Sequence, residues 1–184
     1  YECPVEGYQD AIADAGRIRG MRYVKIPAVM SATPKDDAVC HWEVMNANTA
    51  NYCSAVGYFF GRRLHEMIDV PIGFILANKG GTMVESWLNE DNLKCYTNEP
   101  VDSAEIAKRY PTDWLRPLLW GNGTFHPILN YSIRGIIYYQ GCSNVDHNPN
   151  TYAERLSRLI SQWRSDFKVP NLPFYFVEIA PYSY

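Results

Sequence analysis

The chain has 184 residues, 47% of them hydrophobic and 20% charged, with a formal net charge of −3. That is enough chain for one domain with a substantial core, in the composition range of ordinary globular proteins. It excludes the basic footprint of a nucleic-acid binder, and no apolar run reaches the ~20 residues of a membrane span. The chain starts at Tyr1 with no charged-then-apolar leader, as expected of a mature form, a cleaved form or a piece of a longer polypeptide. Aromatic residues are abundant at 14%, which suits sugar-binding surfaces and packed cores alike. The five cysteines, Cys3, Cys40, Cys53, Cys95 and Cys142, include no C-x-x-C pair, so neither a zinc site nor a dense disulfide scaffold is expected. Most are expected to be buried thiols, with one disulfide left open.

In chain order, Asp10 to Ala15 reads as a short helix and Met21 to Ile26 as a strand stopped by Pro27. Ser31 to Trp42 is loop-like. Ser54 to Ile68 is a helix with Ser54 as its N-cap. Its expected core stripe is Val56, Phe59, Phe60, Leu64 and Ile68, with Arg62, Arg63 and Glu66 facing away. The almost continuous apolar run Ile72 to Ala77 suits a strand buried on both faces. Asn89 to Asn122 is irregular, an insertion or a pair of short helices. Gly135 to Tyr139 is a second buried strand. A loop, 140–150, then leads to a helix with a capping box at Thr151 and Glu154. That helix carries Tyr152, Leu156, Leu159, Ile160, Trp163 and Phe167 at helical spacing. Phe174 to Ile179 is a third buried strand. The alternation predicts an α/β fold with a parallel sheet, and sites in such sheets sit at the carboxyl ends of strands.

Two loops qualify, 78–87 and 140–150. In the first, the pair Gly80-Gly81 frees backbone N–H groups to meet a ligand or a developing oxyanion, although a plain tight turn explains it as well. In the second, Gln140 places a side-chain amide at a strand end, where it serves a pocket or merely nearby backbone. Cys142 with His147 invites a Cys–His nucleophile pair, weighed against a simple packed thiol. No G-x-S-x-G is present, and no pair of histidines has metal-ligand spacing on a common helix. No cofactor is expected. The triplets at Asn122 and Asn130 match glycosylation sequons.

Three stretches together resemble the sialate O-acetylesterase family of carbohydrate esterases, which belong to the SGNH-type hydrolases. They are CSAVGYFFGRRLHEMIDVPIGFILANKGGTMVESW (53–87), LWGNGTFHPILNYSIRGIIYYQGCSN (119–144), and the helix and strand that follow, through IAPYSY. The resemblance implies a flavodoxin-like three-layer α/β/α sandwich with a parallel sheet, here incomplete. It implies residues 1–184 as the central part of a single esterase domain. The activity implied is removal of O-acetyl groups from sugars through a serine acyl-enzyme, with an O-acetylated sugar or glycan as partner and a secreted or periplasmic location.

Residue by residue, Gly81, with Gly80 beside it, matches the family's oxyanion-hole glycine. Gln140 matches the glutamine of its Q-G-E segment, a second oxyanion donor. Asn122 and His126 fall in a segment expected to border the pocket and are candidate substrate contacts. The Q-G-E motif reads Gln140-Gly141-Cys142 here, so the family's glutamate is replaced. The G-Q-S-N segment with the nucleophile is expected before residue 1, and the D-x-x-H segment after residue 184. The chain alone is therefore expected to be inactive as an esterase. The competing expectations are a non-catalytic carbohydrate-binding module or degenerate esterase, and a cysteine hydrolase using Cys142 and His147.

Overall fold

The computed structural model of the chain describes residues 5–96 and 98–181. The described residues divide into two compact units, one formed by residues 5–27 and 39–77, the other by 28–38, 78–96 and 98–181. Cys3 lies outside the described residues.

In the first unit, helix α1 (Tyr8–Ala15) precedes strand β1 (Met21–Lys25). Strand β2 (Trp42–Val44) is followed by helix α2 (Ala55–Ile68) and strand β3 (Ile72–Leu76). The sheet order is β2-β1-β3, with β1 parallel to β3 and antiparallel to β2. The antiparallel β2 corrects the wholly parallel expectation. Its three residues sit at the end of a loop and are too few to show periodicity. The core gathers Ala11, Ala15, Met21, Tyr23, Met45, Tyr58 and Leu76. Its two tyrosines satisfy their hydroxyls on backbone, Tyr58 on the Ala11 carbonyl at 2.8 Å and Tyr23 on that of Thr49 at 3.0 Å.

Helix α2 begins as the sequence predicts, with Ser54 Oγ accepting from the Gly57 amide at 3.3 Å. Its packed face is different from the one expected. Gly57, Tyr58 and Gly61 are buried, while Phe59, Phe60 and Ile68 are exposed. The reason is steric. Phe74 of β3 wedges against the helix, and a Cβ on Gly61 would come within 2.2 Å of its Cζ. Only glycine admits that approach, so the small residues face the sheet and the large ones turn outward. Strand β3 is correspondingly half-exposed rather than buried on both faces, because it lies at the edge of its sheet.

The second unit holds the short helices α3 (Glu90–Leu93) and α4 (Ser103–Arg109) in the irregular stretch. Strand β4 (Ile136–Tyr138), helix α5 (Tyr152–Asp166) and strand β5 (Phe174–Phe176) complete it. β4 and β5 pair in parallel, with Ile136 opposite Phe174 and Tyr138 opposite Phe176. Trp163 of α5 anchors this unit, stacked on Phe125 with 4.1 Å between ring centroids and close to Tyr138 and Phe174. Leu159 and Leu172 are sealed beside it. The expected burial of the last strand is not met, since Tyr175 and Phe176 are exposed. The capping box is not formed either. Thr151 Oγ1 donates to the Asn148 carbonyl and accepts from Arg155 Nε, while Glu154 accepts from the Tyr96 hydroxyl.

The cysteines also depart from expectation. Cys53, Cys95 and Cys142 are free thiols, and Cys40, Cys95 and Cys142 are exposed. Cys53 alone behaves as a packed thiol, its pKa pushed up to about 11 by burial. Among the described residues no helix is long and apolar enough to cross a membrane, and no cluster of three metal-ligating side chains occurs.

A candidate active site at the glycine turn

The chain leaves β3 and turns sharply at Gly80-Gly81, and both glycines are exposed. Gly81 has φ +80°, and a Cβ there would come within 2.6 Å of Trp114 Cδ1. Backbone conformation and neighbour both require glycine. Among the described residues neither glycine amide donates to a protein acceptor. The turn therefore offers N–H groups at the surface, the arrangement suited to a developing negative charge.

The turn is fastened from the other predicted loop. Gln140 Nε2 donates to the Thr82 carbonyl at 3.0 Å and to Asn144 Oδ1 at 2.8 Å. Its Oε1 accepts from the hydroxyls of Tyr138 and Tyr152, both at 3.1 Å. Ser143 Oγ donates to the Gly81 carbonyl at 2.8 Å. Burial pushes the Tyr152 hydroxyl up to about 12, with the Glu85 and Cys142 charges adding to it. Tyr138 is raised for the same first reason, desolvation. Both stay protonated as donors to Gln140 near neutral pH. Gln140 thus spends both amide protons inside the protein. Here it positions the turn rather than presenting a free donor, which is a different role from the one the resemblance assigns.

Asn122 and His126 form a separate group. Asn122 is buried, and its Nδ2 donates to the Ala32 carbonyl at 3.2 Å. His126 Nδ1 lies 2.8 Å from the Lys35 carbonyl and 3.9 Å from Asp36 Oδ1. Between them Thr124 Oγ1 bonds both the amide and the carbonyl of Val29, and a Cβ on Gly123 would strike that carbonyl at 2.0 Å. This π-helical turn (Gly121–Phe125) clamps the strap 29–36. The sequon asparagine Asn122 is consumed in that clamp. The pair Cys142 and His147 does not form a catalytic couple: His147 Nδ1 is 3.0 Å from the Ser143 carbonyl, and no hydrogen bond joins it to Cys142.

Sequence reasoning missed a buried ionic knot just beyond the turn. Arg155 Nη1 reaches Glu85 Oε1 at 2.6 Å and Glu99 Oε1 at 2.8 Å, with all three side chains at most 3% exposed. Asn144 Nδ2 donates to Glu85 Oε2, and Asn148 Nδ2 to both carboxylates. The Tyr110 hydroxyl donates to Glu99 Oε2 at 2.8 Å. Burial and that neighbouring carboxylate raise the Tyr110 pKa, keeping its proton in the bond. The Arg155 guanidinium also lies 4.1 Å from the Tyr96 ring centroid. The one sequence signal was Arg155 itself, four residues before Leu159 on the inward face of α5.

A cleft of about 420 Å³ opens beside the turn, lined by Lys79, Pro111, Thr112, Asp113, Trp114 and Trp120. Pro111 and Thr112 also border a second cleft of about 430 Å³ that contains His147 and Asn148.

Parallel strand pairs joined through helices define an α/β domain. A carbohydrate esterase family described as sialic acid-specific acetylesterase matches residues 33–183, and the chain belongs to that family. It is 33% identical over 121 residues to a sialate O-acetylesterase of Homo sapiens, covering 63% of this chain and 22% of that protein. The Mus musculus sialate O-acetylesterase is 26% identical, covering 93% of this chain and 39% of that protein. The crystal structure of a carbohydrate acetylesterase from Xanthomonas citri superposes with a TM-score of 0.80 at 27% identity, over 93% of this chain and 36% of that one. The chain thus spans well under half the length of these relatives.

Proposed function

We propose that residues 1–184 are the central part of one O-acetylesterase domain, which hydrolyses acetyl esters on sugars such as sialic acid. The complete domain is a flavodoxin-like three-layer sandwich of SGNH hydrolase type, secreted or periplasmic. Its nucleophilic serine and its histidine–aspartate pair come from segments flanking this chain. In the first step the histidine takes the serine's proton as the serine oxygen bonds to the acetyl carbon, and passes that proton to the sugar oxygen as its bond to the acetyl carbon breaks. Water then attacks the acyl carbon while the histidine takes its proton, and the serine oxygen regains that proton as acetate is released.

This chain's own share is the oxyanion hole. The observation that carries the reading is the Gly80-Gly81 turn, with exposed amides bonded to no protein acceptor among the described residues and fixed by Gln140 and Ser143. Gly81 supplies an N–H to the carbonyl oxygen as it becomes negative, and Gln140 holds the turn in place. The test is hydrolysis of p-nitrophenyl acetate and of O-acetylated sialic acid by the flanked polypeptide and by this chain alone. Activity is expected only in the flanked form. Gly81→Ala in that form is expected to lower kcat by ~10²-fold or more, because the added Cβ meets Trp114 and the positive φ is lost, which turns the N–H away from the oxyanion. Full activity in the variant, or in this chain alone, would overturn the reading.

A further inference from the structure

Next to the glycine pair stands a buried hydroxyl that Gln140 and Ser143 leave unexplained. Thr82 Oγ1 donates to the Lys79 carbonyl at 2.9 Å, and Thr82 is buried. That bond ties together the two ends of the segment 79–82, with Gly80 and Gly81 between them. The same oxygen accepts from Nε1 of the buried Trp87 at 3.1 Å. An indole N–H only donates and a carbonyl only accepts, so the single hydroxyl proton of Thr82 is committed to Lys79. The Lys79 carbonyl and the Gly80 N–H belong to one trans peptide and point in opposite directions. A carbonyl held on a buried hydroxyl therefore directs the Gly80 N–H away from the interior. At the other end of the pair, Ser143 holds the Gly81 carbonyl and with it the peptide that joins Gly81 to Thr82. The peptide that carries the Gly81 N–H thus lies between two fixed ones.

We propose that Thr82 is a positioning residue for the Gly80 and Gly81 amides, and that Trp87 orients its hydroxyl for that task. The inference rests on the esterase reading for the charge that these amides meet. Thr82 acts through the Lys79 carbonyl and does not itself meet the substrate. Its value lies in timing: amides already aimed before the charge develops need no reorganisation in the transition state. Two glycines in succession are the most permissive backbone a chain can have, so without a side chain to hold it this turn would sample other conformations. The hydroxyl supplies the restraint that the glycines lack.

The test uses the flanked polypeptide, read by p-nitrophenyl acetate kinetics and by amide spectra of 15N-glycine-labelled protein. Thr82→Val keeps the shape of the side chain and removes the hydroxyl. It is expected to lower kcat ~10-fold, the worth of about one hydrogen bond, with KM little changed. The Gly80 amide resonance is expected to move in the same variant. Thr82→Ser keeps the hydroxyl and is expected to restore most of kcat and the Gly80 position. Trp87→Phe keeps an aromatic ring but frees the hydroxyl to turn, so it is expected to move the Gly80 amide and to lower kcat by a smaller factor. It carries the test if Thr82→Val does not fold. An unchanged kcat and Gly80 amide in Thr82→Val or in Trp87→Phe, or a Thr82→Ser variant as slow as Thr82→Val, would overturn the proposal. A Gly80 amide that moves and is restored as expected, in a polypeptide that cleaves no acetyl ester, would instead count against the esterase reading and leave the positioning of the turn standing.

Discussion

The glycine turn and the ionic knot just downstream are bonded in opposite ways. Gly80 and Gly81 are exposed, and neither amide donates to a protein acceptor among the described residues. At Glu85 a fully buried carboxylate is met by Arg155, Asn144 and Asn148. The two regions are joined through one residue: Asn144 accepts from Gln140 and from the Val84 amide, and donates to Glu85. The difference shows how an open site is held still. Open amides cannot fix their own position, and here the bonded network next to the turn holds it through Gln140 and Asn144.

That comparison is broken most strongly at Arg155. Arg155→Leu leaves Glu85 and Glu99 buried without their cation and is expected to cost ~3–5 kcal/mol in urea unfolding. An unchanged midpoint would mean that the knot carries no weight in the fold.

Gln140→Ala comes next. It strands the Thr82 carbonyl and the Tyr138 hydroxyl, while Tyr152 keeps its 3.0 Å bond to the carbonyl of residue 140, with an expected loss of ~1–3 kcal/mol. In the flanked polypeptide it is also expected to lower kcat with little change in KM, because the turn is loosened and not removed. A rise in KM alone would assign Gln140 to substrate binding and not to positioning.

The smallest effect is expected at Asp166, near the strap clamp. Burial raises its carboxyl pKa, opposed by a bond from Gln162 and the charge of His126. The folded state therefore holds this proton more tightly than the unfolded chain. Stability falls as pH rises from the ordinary aspartate value through the raised one. Asp166→Asn is expected to flatten that part of the stability–pH curve and to be the more stable form above it. An identical slope in the variant would contradict this.

How much was legible in the sequence follows from the same contrast. The turn at Gly80-Gly81 and the place of Gln140 just past β4 were legible because backbone freedom and strand-end position are local properties. Helix α2 was located correctly, but its buried face was misjudged. Apolar size favoured Phe59 and Phe60, whereas the contact with Phe74 demands the absence of a side chain at Gly61. Strand β2 was hidden because three residues cannot show a period. The knot was hidden because Glu85, Glu99 and Arg155 are far apart in sequence, and each alone looks like a solvated charge. Asn122 and His126 were read as pocket residues, yet their described bonds go to the strap, a contact between segments distant in the chain.

The central claim is that the Gly80-Gly81 amides receive the oxyanion. The direct measurement is an amide NMR spectrum of the flanked polypeptide labelled with 15N-glycine, before and after a phosphonate reacts with its serine. The tetrahedral adduct places an anionic oxygen where the oxyanion forms. The account predicts a large downfield shift of the Gly81 amide proton, and little change at glycines remote from the turn. A Gly81 resonance that stays in place while the adduct forms would contradict it.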